Sequence, residues 1–144
     1  MNYVTLEKLR YEMHQDWLKK EFPQTFKHIV TLSQWWKDVG AFTLLAPRQT
    51  GKTTFLKEVV AEKLKDGENV LVITAYEAMR NSFTEFLEDE NFTILYQRSL
   101  KRLQGSNRTH YHLFVDEFMH IDELNSLLNH DWKSVTLVGS LFLI

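Results

Sequence analysis

The chain contains no cysteine. That excludes a disulfide framework and thiolate metal sites, and it fits a reducing compartment. Five glycines and two prolines among 144 residues leave little material for flexible linkers, so the elements are expected to be joined by short turns. Neither sign of charge dominates: 17 Lys and Arg face 19 Asp and Glu, for a net charge of -2. No global basic field draws in nucleic acid, and any such contact would have to come from a local patch. No apolar run is long enough to span a bilayer, and the amino terminus shows no signal-peptide pattern. Internal repeats and low-complexity segments are also missing. What remains is 44% apolar and 25% charged, ordinary for a globular chain and sufficient for one domain with a real core.

One stretch organises the rest. The run Ala46-Pro47-Arg48-Gln49-Thr50-Gly51-Lys52-Thr53-Thr54 follows the apolar Ala41-Phe42-Thr43-Leu44-Leu45 and precedes Phe55-Leu56-Lys57-Glu58-Val59-Val60. Strand, tight loop and helix are the context in which the pattern GxxxxGK(S/T) binds phosphate, here with Ala46 in place of the first glycine. Backbone N–H groups of the loop and of the helix start form a concavity for anionic oxygens. Gly51 lets the backbone approach phosphate without a Cβ. Lys52 reaches the β- and γ-phosphates as a mobile charge, and Thr53 offers its hydroxyl to Mg²⁺.

Along the chain, residues 3–21 read as an amphipathic helix with Leu6, Leu9, Met13 and Trp17 on the apolar stripe. Phe22-Pro23 is expected to break it. A second helix is expected over 24–38, with Phe26, Ile29, Val30 and Trp36 inside and Gly40 ending it. The Trp35-Trp36 pair reads as core packing or as a stacking surface for an adenine. Helices are expected over 51–65, 76–90 (Met79, Phe83, Phe86 and Leu87 on one face) and 121–130. Strands are expected over 69–75, 92–96, 111–117 and 133–140. Strands alternating with helices at crossover spacing give a mainly parallel sheet with helices on both faces, a three-layer α/β fold. Ligands of such sheets sit at the carboxyl ends of the strands. The phosphate loop, Asp116-Glu117 and Gly139-Ser140 should converge there.

Asp116 and Glu117 close an apolar strand. An acidic residue at that position can hold Mg²⁺ beside the Thr53 hydroxyl, and its neighbour can orient or deprotonate a water aimed at the γ-phosphate. The alternative is a helix cap, since carboxylates favour helix N-termini.

These residues resemble the ATPase domain of phage large terminases, the DNA-packaging motors. That domain lies within the additional-strand, catalytic-glutamate class of P-loop ATPases, which also holds helicases. Terminase loops often read Arg-Gln-x-Gly-Lys-Thr-Thr, as residues 48–54 do, and their acidic strand often reads as Phe114-Val115-Asp116-Glu117-Phe118 does. A Leu-Arg-Gly stretch that often precedes that strand is Leu103-Gln104-Gly105 here, without its arginine. The resemblance spans about residues 43–140. It implies a RecA-type sheet, ATP and Mg²⁺ as cofactors, and a cytoplasmic site of action, the host cytoplasm for a phage chain. It also implies roles: phosphate and Mg²⁺ on Lys52 and Thr53, metal on Asp116, catalytic base at Glu117, and action on the γ-phosphate by Arg48. Ser140 loosely matches the polar residue ending the added strand. For Arg48, a solvent-facing arginine is the other reading.

Packaging terminases continue into a further strand, a lid and a nuclease. This chain ends at Leu141-Phe142-Leu143-Ile144. The expectation is a carboxyl-terminally incomplete core without nuclease, whose phosphate-loop strand lacks a neighbour until the N-terminal helices, a second copy or another protein covers it. Residues 1–40 are expected as a helical segment packed on a core of 41–144.

Two weaker signals remain. His110 and His112 share a face in an extended strand and form a possible metal pair, with ordinary histidines as the alternative. Arg98, Lys101, Arg102 and Arg108 form either a nucleic-acid contact or a solvated loop. Three functions follow: a DNA-associated ATPase, a small nucleoside or nucleotide kinase, and a nucleotide-binding interaction module without turnover. Glu117 speaks against the kinase, which needs no water-activating glutamate.

Overall fold

A computed structural model describes residues 2–45, 51–74, 77–96, 108–117 and 121–139. Among these residues, five strands form one sheet: β1 (Phe42–Leu45), β2 (Asn69–Thr74), β3 (Phe92–Tyr96), β4 (Tyr111–Asp116) and β5 (Ser134–Gly139). Their order is β1-β5-β4-β2-β3, and every pairing is parallel. The last strand therefore inserts between the strand that leads into the phosphate loop and the strand that ends in Asp116. All residues of β5 are buried, as are five of the six in β2 and in β4. Their continuous apolar runs are the consequence of helices on both faces.

One face carries α1 (Tyr3–Leu18), α4 (Lys52–Lys65) and a 3-10 segment (Glu77–Phe86). Its core joins Phe42, Leu44, Phe55, Val59, Phe114 and Val138. The opposite face carries α3 (Leu32–Trp35), a single π turn (Trp36–Gly40) and α5 (Ile121–Leu128). Its core joins Trp36, Ile73, Leu113, Leu128, Trp132 and Leu137. This is a three-layer α/β fold of the P-loop NTPase type. Among the described residues no helix is long and apolar enough to cross a membrane.

Three local expectations are corrected. In α1, Leu6, Leu9, Met13 and Trp17 are exposed, while Glu7 and Tyr11 are buried and Tyr3 and Val4 pack partly against the core. The helix carries two apolar stripes, and specific partners choose between them. Tyr11 sits edge-on to Phe42 and Phe55, with centroids at 5.5 and 6.2 Å, and Lys8 pairs with Glu62 of α4.

The second correction concerns residues 24–38, which are not one helix. A short α2 (Glu21–Phe26) contains Pro23 in its first turn, where a missing N–H leaves nothing unsatisfied. α3 then starts at Thr31, whose hydroxyl accepts from the Gln34 N–H. Phe26 and Ile29 are exposed. Gly40 ends the π turn for steric reasons, because a Cβ there would lie 2.1 Å from the Trp35 ring.

Third, the segment before β3 is a 3-10 helix kinked at Phe83 (φ -117, ψ 17), not an α-helix. The kink accompanies full burial of Phe83, which stacks on Phe92 at 6.4 Å. Leu87 lies outside that packing, exposed.

Candidate functional site

The carboxyl ends of β1, β5 and β4 lie side by side. Leu45 is in register with Gly139, Asp116 with Val138, and Thr74 of β2 with Asp116. Residues 46–50 lie outside the described residues, and the described chain resumes at Gly51. Gly51 adopts φ +93 and stands as N-cap of α4. A side chain there would be strained, and a glycine is what the position needs. The cap offers no side-chain acceptor, and the first turn of α4 contains no carboxylate. The positive end of a fourteen-residue helix thus has neither a side-chain cap nor a carboxylate of its own first turn, as suits an anion-binding helix start.

Lys52, the first residue of α4, is buried at 7% exposure. Its Nζ lies 3.6 Å from Glu117 Oε1. Asp116 is 2% exposed. Burial, with Glu117 beside it, pushes its carboxyl up to about 7, and Lys52 opposes that shift only in part. Glu117 stands just past the end of β4 at φ +58, the one non-glycine in the left-handed region among the described residues. Such a conformation costs about 1–3 kcal/mol. It is held by the Glu117 N–H, which donates to the Val138 carbonyl at 2.8 Å. Pairing of β5 beside β4 therefore aims Glu117 toward Lys52.

The residues marked from sequence divide accordingly. Gly51, Lys52, Asp116 and Glu117 are brought together. Thr53 follows Lys52 in the first turn, partly buried, while Thr54 is exposed and lines a cleft of about 290 Å³ with Lys57, Glu85 and Phe86. Arg48, Gln49, Thr50 and Ser140 lie outside the described residues, as do Arg98, Lys101 and Arg102. Thr74, buried at the end of β2 beside Asp116, drew no attention in the sequence because it reads as one more residue of an apolar strand. A larger groove of about 490 Å³, reached by Met13, Trp17 and Phe42, lies along the amino half of β1 and away from these strand ends.

Two other expectations resolve here. Trp35 and Trp36 are core residues, each 2% exposed. Their indole N–H groups donate to the carbonyls of Pro23 and His130. His110 and His112 do not form a metal pair: His110 is exposed, and His112 is buried against Ser134 Oγ at 2.6 Å. No group of three metal-ligating side chains occurs among the described residues.

The donor set fits a magnesium nucleotide. An ammonium and uncapped helix amides suit phosphate oxygens, and a hydroxyl with a buried carboxyl suits a hard cation. A carboxyl held up near 7 by burial is also one that a divalent cation would return to its anionic form. No curated protein matches this chain. A family model described as an AAA domain matches residues 39–141, a span that takes in all five strands, Lys52, Asp116 and Glu117. The chain belongs to the AAA domain family of P-loop ATPases.

Proposed function

We propose that the chain binds ATP with Mg²⁺ and hydrolyses it, as a terminase-like or helicase-like core that works on DNA. ATP binding is what the family implies. The observation that carries hydrolysis is the placement of Lys52, the first residue of α4, against Asp116 and Glu117 at the end of β4, with β5 inserted between β1 and β4. In this reading Lys52, Thr53, Thr54 and the loop residues Arg48, Gln49, Thr50 and Gly51 hold the phosphates. Thr53 and Asp116 hold the metal, which when bound offsets charge on the phosphate oxygens. A divalent cation held there would favour the anionic form of Asp116, whose proton would pass to solvent. Glu117 leaves Lys52 when phosphate replaces it, and its carboxylate is then free to orient a water and accept its proton. Arg48 acts at the γ-phosphate end.

Residues 1–40 serve as a helical segment on the 41–144 core. β1 lies at the edge of the described sheet, which supports a second copy or partner as cover. A second reading, a nucleotide-binding module without turnover, is favoured by the Lys52–Glu117 pair, since a carboxylate seated on the phosphate lysine opposes catalysis as well as binding. Phosphate release by the full chain, with and without DNA, separates the two. Turnover that rises with DNA supports the proposal. ATP binding without any turnover, with or without DNA, favours the module. Phosphoryl transfer to a nucleoside would replace both with a kinase.

A further inference from the structure

We infer that Tyr3 and Val4, in the first turn of α1, are positioning residues of the nucleotide site, acting through Gly51. The inference rests on the nucleotide reading above. Gly51 is the hinge between the phosphate loop and α4, and as a glycine in the left-handed region it has little intrinsic preference for its conformation. A Cβ built on Gly51 would lie 3.2 Å from Val4 Cγ2 and 3.5 Å from Tyr3 Cδ1. The side-chain face of the hinge is therefore covered by α1.

The helix that supplies this cover is fixed to both elements flanking the loop. Lys8 pairs with Glu62 of α4 and lies 3.7 Å from Glu58, and Tyr11 packs edge-on to Phe42 of β1 and Phe55 of α4. The first turn is itself capped, with the Thr5 N–H donating to Asn2 Oδ1 at 2.8 Å and the Leu6 N–H to the Asn2 carbonyl at 3.1 Å. It carries no carboxylate to repel phosphate, and nearby Glu7 is paired with Arg10. Val4 and Tyr3 thus act as a stop against which Gly51 rests, so that the amides beginning α4 point one way before nucleotide arrives. Preorganisation of this kind raises affinity by lowering the ordering required on binding.

The test is calorimetric titration of the full chain with Mg-ATP. Val4→Ala and Tyr3→Ala should each weaken binding about five- to tenfold, at the low end of measured couplings between sites. Val4→Ile, which keeps the branched methyl, should restore the parent affinity. Leu9→Ala, on the exposed side of the same helix, should leave it unchanged. By linkage, nucleotide must in return steady α1. On the unmodified chain, Mg-ATP should slow hydrogen exchange at amides 6–9, a measurement that stands even where a variant fails to fold. Parent-like affinity in both alanine variants, or unchanged exchange at 6–9 when nucleotide protects residues 52–56, overturns the inference while leaving the nucleotide site in place. A parent chain that binds no Mg-ATP overturns both.

Discussion

The same face of the sheet buries ionisable groups at both ends, and the two ends treat them differently. At the amino end, His112 is 5% exposed and held neutral. Burial, with Lys63 nearby, lowers it to about 4, and its Nδ1 shares a 2.6 Å hydrogen bond with Ser134. Of the formal charges there, Glu68 and Lys133 pair with each other at the half-exposed rim, and Lys63, its pKa lowered by burial, lies 5.7 Å from the Tyr11 ring. At the carboxyl end, Lys52 and Asp116 are as deeply buried, with Lys52 3.6 Å from Glu117 and Asp116 displaced to about 7. A sheet selected for stability alone would treat both ends like the first, because buried charge is expensive unless well paired. A carboxyl pushed upward by burial at one end, beside a strained Glu117, is the pattern of a functional site.

The largest expected effect removes the cation from the carboxyl end. Lys52→Ala should abolish measurable Mg-ATP binding while the far-ultraviolet circular dichroism stays that of the parent. A folded variant with parent affinity in calorimetry would dissolve the contrast between the two ends. Glu117→Gln comes next. It keeps the shape, cannot accept a proton, and no longer competes with phosphate for Lys52. Turnover should fall about 10²–10⁴-fold while ATP binds at least as tightly, read by phosphate release alongside titration. A loss below about tenfold would make Glu117 a cap instead of a base.

Asp116→Asn tests the same end through stability. Its folded value near 7 stands above the ordinary 3.8, so the folded state holds a proton that the unfolded state releases. Stability therefore falls as pH rises from about 4 to about 7, and the full deficit persists above 7. The neutral amide removes that deficit. Without metal or nucleotide, the variant should exceed the parent by about 2–4 kcal/mol at pH 8 and match it near pH 4. Urea unfolding at the two pH values measures it, and a variant less stable than the parent at pH 8 would contradict the assignment.

How much of this was legible in the sequence depended on whether residues carried their own constraint. The strand-to-helix passage did, because the glycine that the pattern places at 51 stands at φ +93 before α4, with Lys52 opening the helix. So did Asp116-Glu117, since an apolar run ending in two carboxylates needs a strand end, and burial turned out continuous along β2, β4 and β5. The N-terminal helices did not. Leu6, Leu9, Met13 and Trp17 have helical spacing, but so do Tyr3, Glu7, Tyr11, His14 and Leu18, and only tertiary partners decided which stripe faced inward. Pro23 marked a boundary but sits inside the helix after it, at a position where proline is harmless. Val4 covers the side-chain face of Gly51, 47 residues away, and no local pattern announces it.

The smallest expected effect lies at the neutral end, and it works against the one at Asp116. His112 has a folded value near 4 against an ordinary 6.5. The folded state excludes a proton that the unfolded state accepts, so the contribution of His112 is complete above about 6.5 and is lost as pH falls toward 4. Lys63 and Lys133 face the ring and hold its proton off, and Glu68, at 3.9 Å, only partly opposes them. Asp116 gains stability over nearly the same descent in pH, so the two slopes oppose each other and the parent should be flatter in pH than either single variant. His112→Gln offers Ser134 a polar partner without titrating. Between pH 7 and pH 5 it should be spared about 1–2 kcal/mol of acid loss relative to the parent, leaving the Asp116 slope exposed. Asp116→Asn should show the reverse, a steeper loss in acid, and the double variant should be flat again. Urea midpoints at pH 5, 6, 7 and 8 for the four chains test this, with Mg-ATP affinity at pH 8 as the control that His112→Gln should not move. Parallel pH profiles in all four would mean that the two ends of the sheet bury their groups in the same way after all.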